Sequence, residues 1–467
     1  MAEVDTKATG NDRSDLMGRN PITKELIRFS VPAIIASETA AGYNLFDAIW
    51  CGRLGPEQLA ALTVAGPLMT IYRAIGGGIG VGTASLIARN LGAGKREESN
   101  QTAGCSISFF FIVAFLATIV CLIYLKPLLR LFGADDSVLP YAEAYMFVET
   151  LSIAVDFFLV VLVELVRVGG SPSIASSGMI VASLADLIWS PILVFGVGPF
   201  PALGMAGAAL GTTIGRALGI AVLLGYIGLG KSIYQFKPSH FVPKLKTIVD
   251  IYSVGLSSTI RAGAASIAQT IASRTAAFYG VVALGVLGVI YKVNSIVFGF
   301  CMGISQGVVP LTGYNFAADK KERVGEVVVK ATLLSFTWGL LCWIIALLFP
   351  TEILSLFGTE PEFFAIGGLA LPIFALGFFM VGVQTNISAF FQGIGKSFPA
   401  LVIASSRQLV FLIPCLLIMP TIFGLVGLWA AYPVADILAL GLTLAWTAIT
   451  FRNLKIPFRL RSSPANT

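Results

Sequence analysis

The sequence predicts an all-α polytopic membrane protein, with twelve transmembrane helices in two pseudo-symmetric six-helix bundles around a central cleft. Hydrophobic residues make up 56% of the chain and charged residues 12%, with a mean hydropathy of +0.86, whereas about a quarter of the residues in a soluble protein are charged. Apolar runs of about 20 residues, enough to cross a bilayer, fill nearly the whole chain. The segment NLGAGKREE at 90–98 is repeated as NFAADKKER at 315–323, 225 positions later. One structural unit is therefore used twice.

Each helix is predicted from an apolar run that ends at a polar break. The first six spans are 24–52, 59–89, 102–125, 140–166, 174–197 and 205–229. The second six are 247–279, 283–311, 331–349, 363–391, 399–422 and 425–451. We therefore expect a tail at 1–22, an N-lobe at 23–229, a linker rich in Lys, Pro and Ser at 230–246, a C-lobe at 247–451 and a tail at 452–467. An even number of helices per repeat places the pseudo-two-fold axis along the membrane normal.

Lysine and arginine are concentrated in alternate loops, and by the positive-inside rule this predicts that both termini lie in the cytoplasm. The membrane is expected to be the cytoplasmic (inner) membrane. The basic residues on that side are Lys95, Arg96, Arg167, Lys231, Lys237, Lys244, Lys246, Lys320, Lys321, Arg323, Lys396, Arg452, Lys455, Arg459 and Arg461. This distribution accounts for the net charge of +6 without a nucleic-acid partner. Residues 1–22 contain no apolar signal-peptide core, and we expect a disordered tail.

Several kinds of chemistry are disfavoured by the residues present. The six cysteines form no CxxC pair, so neither a zinc site nor a disulfide framework is indicated. The single histidine, His240, argues against imidazole-based catalysis. The glycine run at 76–82 lacks the preceding strand and following GK[ST] of a phosphate-binding loop, and small residues there favour close helix packing. We expect no cofactor and a transporter, with a membrane-embedded enzyme as the disfavoured alternative.

Ionisable side chains inside the predicted spans are unevenly divided. Each costs at least about 2.5 kcal/mol to insert, so such residues usually line watery paths or form pairs. The first repeat contains Glu38, Asp47, Glu149, Asp156, Glu164 and Asp186 against Arg73 and Arg216. The second contains Arg261, Arg274, Lys292 and Arg407 against Asp436. An acidic half is therefore expected to face a basic half.

Asp47 and Asp186 are the acids predicted to couple transport to an ion, either by taking a proton or by binding Na⁺. The alternative for each is a fixed salt bridge to Arg73 or Arg216. In the repeat these acids align with Ala272 and Phe411, which cannot ionise, so ion chemistry is expected to be concentrated in the first copy.

Three further groups of residues have weaker signals. Glu164 is a further coupling acid, with snorkelling to the interface as its alternative. Pro32 and Pro191 interrupt helical hydrogen bonding and are predicted hinges, although proline is common in membrane helices. Contacts with substrate or between lobes are expected at Tyr43, Gln269, Arg261, Lys292 and Asp436.

The chain resembles the multidrug and toxic compound extrusion (MATE) family, specifically its prokaryotic branch containing the DNA-damage-inducible F type. The matching segments are YNLFDAIWCGRLGPEQLAAL at 43–62, NLGAGKREE at 90–98, GMAGAALGTT at 204–213, QGVVPLTGYNFAADKKER at 306–323, AFFQGIGKSFPALVIASSRQ at 389–408 and PVADILA at 433–439. The resemblance covers residues 22–452 and implies an efflux antiporter with two six-helix lobes. Such a protein exchanges H⁺ or Na⁺ for organic, often cationic, amphipathic compounds.

The resemblance also implies roles for individual residues. Asp47 and Asn44 match a family acid and asparagine in the first helix, and Thr212 matches a family threonine. Asp186 takes the position of a family asparagine and Ser190 that of a family aspartate, so the acid has moved by one helical turn. Glu164 also departs from the family, which often has asparagine there.

The leading hypothesis is a multidrug efflux antiporter that works by alternating access, as a monomer among membrane lipids, with a small-molecule drug or metabolite as substrate. A flippase for a lipid-linked sugar or anionic lipid, from the same superfamily, is the alternative. Arg261, Arg274 and Lys292 suit an anionic head group, but that group typically has fourteen helices and the motifs fit the exporters better.

Overall fold

The computed structural model describes residues 10–358 and 360–458, and within them the chain forms helices and connecting turns without a β-strand. The helices of the first half are α1 (Gly10–Arg19), α2 (Ile22–Leu54), α3 (Pro56–Gly92), α4 (Arg96–Leu131), α5 (Leu139–Leu151), α6 (Ile153–Val168), α7 (Pro172–Phe195) and α8 (Gly204–Tyr226). Those of the second half are α9 (Leu245–Phe278), α10 (Val281–Ala317), α11 (Lys321–Leu348), α12 (Pro350–Ser355), α13 (Pro361–Ala375), α14 (Phe378–Gly393), α15 (Ser397–Ser405) and α16 (Ile413–Leu454).

The prediction of an all-α polytopic membrane protein is confirmed. In the described part of the chain, eight helical segments are long and apolar enough to cross a membrane, and the bent pair α5 and α6 makes nine. Helices α2 and α9 are of similar length but carry more polar residues. The 58-residue segment from Ser397 to Leu454 is broken at Gly424, whose φ is 60°. Counted in this way, the described helices contain twelve membrane-length segments.

The 225-residue repeat is visible in the backbone. Helices α3 and α10 each have 37 residues and begin at positions related by this offset. The turns that follow them match as well, because Gly94 (φ 73°) corresponds to Asp319 (φ 55°). Left-handed backbone at a residue other than glycine is uncommon. Gly170 and Gly395 form a second matching pair of positive-φ turn residues. Both copies therefore use the same turn geometry despite their different side chains.

The two halves touch closely through glycines in the second part of α3. A Cβ atom at Gly78 would overlap the backbone of Gly255 in α9, and one at Gly82 would overlap the carbonyl of Ile251. The Thr259 hydroxyl also donates to the Ala74 carbonyl at 3.0 Å. Small residues allow membrane helices to approach in this way. The glycine run thus serves close helix packing, which is the role the sequence indicated for it.

These contacts lie towards one end of the molecule, here called the α1 face, which carries α1 and the turns after α3, α6, α10 and α14. Further along α3, the Ser85 hydroxyl donates to the Gln392 carbonyl at 2.5 Å, and Gly92 packs directly on the backbone of Tyr314. Helix α2 crosses α10 in the same region, where Gly303 faces Ile34. The halves are therefore sealed together at the α1 face.

The disordered tail expected at 1–22 is wrong for residues 10–19, which form helix α1; residues 1–9 lie outside the described part of the chain. Arg13 donates to the Tyr226 hydroxyl of the first half at 3.0 Å. Asn315 of the second half donates to the Met17 carbonyl at 3.0 Å, and Lys320 to the Gly18 carbonyl at 2.8 Å. Burial of Met17 and Ser14 explains why this polar segment folds. Helix α1 bridges both halves across the α1 face.

Two irregularities were not predicted. The predicted span 140–166 consists of α5 and α6, which meet at an angle of 48° without a proline at the break. The predicted span 399–422 contains a π-helical stretch at 406–412, and such bulges are frequent at functional sites. That stretch carries Arg407 and Gln408 towards the cavity of the second half.

Candidate functional site

Two adjoining cavities lie between the helices, one in each half. The first cavity, of about 300 Å³, is lined mainly by α6, α7 and α8, and the second, of about 380 Å³, mainly by α9, α10, α14 and the 406–412 stretch. Glu164, Arg167 and Gln306 line both. The two cavities therefore meet at a shared wall between the halves, and both volumes fall within the range typical of small-molecule sites.

Asp47 and Asp186 form a buried acid pair beside the Ser190 hydroxyl group. Ser190 donates to Asp186 Oδ1 at 2.8 Å, and the same hydroxyl lies within hydrogen-bonding reach of Asp47. Asp186 also lines the first cavity, and its second oxygen, Oδ2, has no hydrogen-bond partner among the described residues. Thr212, which lines the cavity too, lies within reach of Asp186. The structure thus brings four of the predicted coupling residues together.

A second group of charges lies beside this pair and forms an ion network. Arg216 contacts Glu149 Oε2 at 3.2 Å and Asp156 Oδ1 at 3.2 Å, while Arg73 contacts Asp156 at 3.8 Å. Tyr72 donates to Glu149 at 2.7 Å. The ion pairs described for Arg216 and Arg73 thus go to Glu149 and Asp156, and the fixed salt bridges considered for Asp47 and Asp186 stay an alternative to the coupling role.

Glu164 and Arg167 form an ion pair within the last turns of α6. Arg167 is 1% exposed. Its assignment to a cytoplasmic loop is therefore wrong, because it turns inward to meet an acid one helical turn earlier. The same pair removes the snorkelling alternative for Glu164, whose carboxylate faces both cavities. The Glu164–Arg167 ion pair therefore lies on the wall between the two cavities.

Two arginines of the second half line the second cavity in different environments. Arg407 pairs with the buried Asp436 of α16 through both ends of its guanidinium group. Arg261 of α9 has a single described hydrogen bond, to the Met302 sulfur at 3.8 Å, and its Cζ lies 6.0 Å from the centroid of the Phe298 ring. A thioether is a weak acceptor. Arg261 is thus the less satisfied of the two cations.

The other predicted contact residues are scattered. Gln269 lines the second cavity with Arg261, whereas Asp436 lies behind the wall as the partner of Arg407. Lys292 and Arg274 are exposed and line neither cavity. The side chains of Tyr43 and Asn44 lie outside the described residues. Helices α2 and α7 continue through their prolines, Pro32 and Pro191, and the hinge role of these residues stays a prediction.

The sequence reasoning missed a set of glutamines on the walls of the second cavity. They are Gln306, Gln384, Gln392 and Gln408. Gln384, Ser388 and Gln392 recur every four residues along α14, which places them on one face of that helix. This periodicity of polar residues within an apolar run was the signal that could have located the cavity wall.

Comparison with known proteins agrees with this architecture. The protein-family model MatE matches residues 32–192 and 248–418, one segment in each half. The multidrug export protein MepA of Staphylococcus haemolyticus is 25% identical over 443 residues, which cover 94% of each chain. An FAD transporter of Shewanella oneidensis is 23% identical over 428 residues, with 91% of this chain and 94% of that protein covered.

Solved structures have the same fold. A MOP superfamily transporter from Pyrococcus furiosus has a TM-score of 0.88 at 24% sequence identity, with 97% of this chain and 100% of that chain covered. An outward-facing multidrug resistance transporter of the MATE family gives the same TM-score, identity and coverage. The match of the family model over well more than half of the sequence identifies the class: this chain belongs to the MATE family and is a multi-pass membrane transporter, not an enzyme.

Proposed function

We propose that the protein is a secondary active exporter, which couples the outward movement of amphipathic organic compounds to the inward movement of H⁺ or Na⁺. The observation that carries this proposal is the acid pair Asp47 and Asp186, which shares the Ser190 hydroxyl beside the first cavity. One hydroxyl hydrogen cannot satisfy two carboxylates, and like charges held together disfavour double ionisation. Binding one cation between them would relieve this repulsion.

The available oxygen atoms suit either a proton or Na⁺. The Oδ2 atom of Asp186 has no described partner and is an open position for a proton. Carboxylate and hydroxyl oxygens of Asp47, Asp186, Ser190 and Thr212 are hard ligands of the kind that alkali and alkaline-earth cations prefer. The cation would stabilise one access state, while substrate in the second cavity would stabilise another, and this difference is what coupling requires.

The seal between the halves supports an outward-facing state. We propose that the α1 face is cytoplasmic, because Lys95, Lys320 and Lys396 lie in its turns and the positive-inside rule applies to such short loops. Closure at Gly78, Gly82 and Gly255 would then block the cytoplasmic entrance. We also propose that the chain works as a monomer in the cytoplasmic membrane, since each cavity is built within one chain.

The relatives favour export of small molecules. MepA is by its name a multidrug export protein, and the Shewanella relative is by its name an FAD transporter. A second candidate function is transport of an anionic lipid, favoured by the incompletely paired Arg261 in the second cavity. The two candidates differ in whether the transported compound enters from water or from the bilayer.

Transport by the purified protein in sealed proteoliposomes would test the proposed function. A pH gradient or a Na⁺ gradient is imposed separately, and uptake of rhodamine 123 and of fluorescein is followed by fluorescence. We expect one of the two gradients to drive transport in the wild type and to drive none in Asp47→Asn. Equal transport by wild type and Asp47→Asn, or no response to either gradient with every compound, would contradict ion-coupled export.

A further inference from the structure

Arg261 lies on the cavity-facing side of α9, in a position that leaves its charge accessible to a ligand. The residues Ser258, Arg261, Ala262, Ala265 and Gln269 all line the second cavity. Counted from Ser258 they lie three, four, seven and eleven positions along the chain, which places them on one helix face. The two alanines beside the guanidinium group leave space instead of a covering side chain. Helix α9 therefore presents the Arg261 side chain to the cavity between small residues that do not cover it.

The hydrogen-bonding capacity of Arg261 is largely unused. A guanidinium group has five N–H donors and no acceptor. Within residues 10–358 and 360–458, the contacts described for it are the sulfur of Met302 and the face of the Phe298 ring. Neither is an anion. A cation at this depth in a membrane protein normally pairs with an acid or a ligand, and no described acid of this chain supplies that pair.

Arg407 provides an internal comparison, because it lines the same cavity and is neutralised. Its guanidinium group contacts both carboxylate oxygens of Asp436, which is 1% exposed. Glu164 and Arg167 on the shared wall likewise pair with each other. Among the described residues that line this cavity, three of the four charged groups are thus paired with one another or with Asp436, and the charge without an acidic partner is that of Arg261.

Two amide oxygens in the same cavity lack described partners as well. The side-chain carbonyl oxygens of Gln306 and Gln408 are buried and have no described hydrogen-bond partner. By contrast, Gln384 donates to the Asp436 carbonyl at 3.0 Å, and Gln392 donates to Ser257 and Ser258. A glutamine amide can turn to present either N–H donors or its oxygen. The cavity that holds Arg261 thus also contains amide oxygens that no described group satisfies.

We propose that the second cavity is a binding site for amphipathic anions, whose carboxylate, sulfonate or phosphate group binds Arg261 and whose apolar body packs against Phe298 and Met302. The proposal rests on the proposed function only in taking this cavity as the substrate site. Paired N–H donors of arginine match a carboxylate or phosphate in geometry. A permanent organic cation would instead be repelled by the positive charge of Arg261, which has no acidic partner among the described residues.

Binding of two matched dyes would test the charge preference. Fluorescein is an anion and rhodamine 123 a cation at pH 8, and both are built on the same xanthene ring system. Fluorescence anisotropy is measured with the full chain in nanodiscs of phosphatidylcholine. We expect fluorescein to bind at least about tenfold more tightly than rhodamine 123, since a hydrogen bond between charged groups is stronger than one between neutral groups. Equal or tighter binding of rhodamine 123 overturns the proposal.

Substitutions of two arginines on α9 assign the preference to one side chain. Arg261→Gln should weaken fluorescein binding about tenfold or more, leave rhodamine 123 binding unchanged or improved, and be partly rescued in Arg261→Lys. Arg274→Gln is the matched control, since Arg274 is exposed and outside both cavities. Loss of both dyes in Arg261→Gln, or unchanged fluorescein binding, contradicts the proposal. If Arg261→Gln has a markedly lower melting temperature than wild type, the variants Gln306→Leu and Gln408→Leu are used in its place. Their binding of fluorescein is then compared with their binding of rhodamine 123.

The source of the anion is resolved by competition in nanodiscs that contain phosphatidylglycerol. Displacement of fluorescein by this lipid indicates a bilayer-derived anion, and displacement by soluble carboxyfluorescein alone indicates a compound from water; displacement by neither overturns an anion-selective site. Binding is measured without any gradient, so its failure is distinct from failure of the transport function. Selective fluorescein binding without gradient-driven transport would leave this inference standing and remove ion coupling.

Discussion

The two halves share one backbone plan but differ in how completely their buried charges are paired. In the first half, Asp47 and Asp186 share one serine hydroxyl and lie beside a separate arginine network. In the second half, Arg407 is fully paired with Asp436 while Arg261 is not paired with an acid among the described residues. The halves therefore carry opposite surplus charge. Pairing, more than the number of charged residues, indicates which groups are available to an ion or a substrate.

The largest effect on stability is expected from breaking the Arg407–Asp436 ion pair of the second half. Arg407→Met should lower the free energy of unfolding by about 3–5 kcal/mol, because it leaves Asp436 buried without a partner. The double variant Arg407→Met, Asp436→Leu should recover most of this loss. Thermal melting followed by intrinsic fluorescence is the measurement. Arg261→Gln is the comparison and should melt close to wild type; a large loss there would show that Arg261 has a structural partner after all.

Loss of the Asp186 carboxylate in the first half should lower transport without changing anion binding in the second cavity. Asp186→Asn removes the charge that faces the first cavity and should lower gradient-driven transport about 100-fold, within the range of known coupling free energies. Fluorescein binding should change by less than about twofold. The control is Asp136→Asn, because the Asp136 side chain is exposed and forms a surface ion pair of little energetic value. Parallel loss of both readouts would mean that the two cavities act as one site.

A smaller change is expected when the shared hydroxyl is removed. Ser190→Ala keeps both acids but loses the hydrogen bond to Asp186. We expect the apparent affinity for the coupling cation to change about tenfold, since hydrogen bonds to charged groups contribute about 1.5–3 kcal/mol. Initial transport rates over a series of proton or Na⁺ concentrations measure this affinity. Ser183→Ala, at another residue of the first cavity, is the control. No difference between the two variants would contradict a role for Ser190 in cation binding.

The smallest effect on binding and transport is expected from a change at Gln306, on the wall that the two cavities share. Gln306→Met removes an amide that lines both cavities while preserving side-chain volume. Because a neutral hydrogen bond contributes about 0.5–1.5 kcal/mol net, we expect both fluorescein affinity and transport to fall by about two- to fivefold. Ser388→Ala, confined to the second cavity, should change fluorescein affinity alone. A change in only one readout for Gln306→Met would assign that residue to one cavity.

Much of the fold follows from one-dimensional patterns. Apolar length located membrane helices to within a few residues at α2, α3 and α7, and the repeat predicted that α3 and α10 would correspond. The start of α11 was missed by ten residues, because its first turns are polar and extend beyond an apolar run. Hydropathy describes the part of a helix that lies in lipid and does not detect its polar ends.

The site was predictable only where a charge was conspicuous. Asp47 and Asp186 were located by their cost within apolar helices, but their link through Ser190 depends on the packing of α2 against α7. The ion pairs of Arg216 with Glu149 and Asp156 were not predicted for the same reason, because spacing within one helix does not specify which acid approaches from a neighbouring helix. The bend between α5 and α6 and the π-helical turn at Arg407 are likewise set by packing and lack a proline signal.

Helix α1 has a consequence for the order of assembly during synthesis. It precedes the other described helices in the chain, yet Tyr314, whose hydroxyl lies 3.3 Å from Asp15, is separated from Asp15 by 299 residues. At about 5–20 residues per second, that interval lasts roughly 15–60 s. During this time α1 has only its first-half partners, such as Tyr226, and even these follow by 213 residues. Helix α1 is thus made well before the residues that hold it in place, and its complete docking requires that both halves have been inserted.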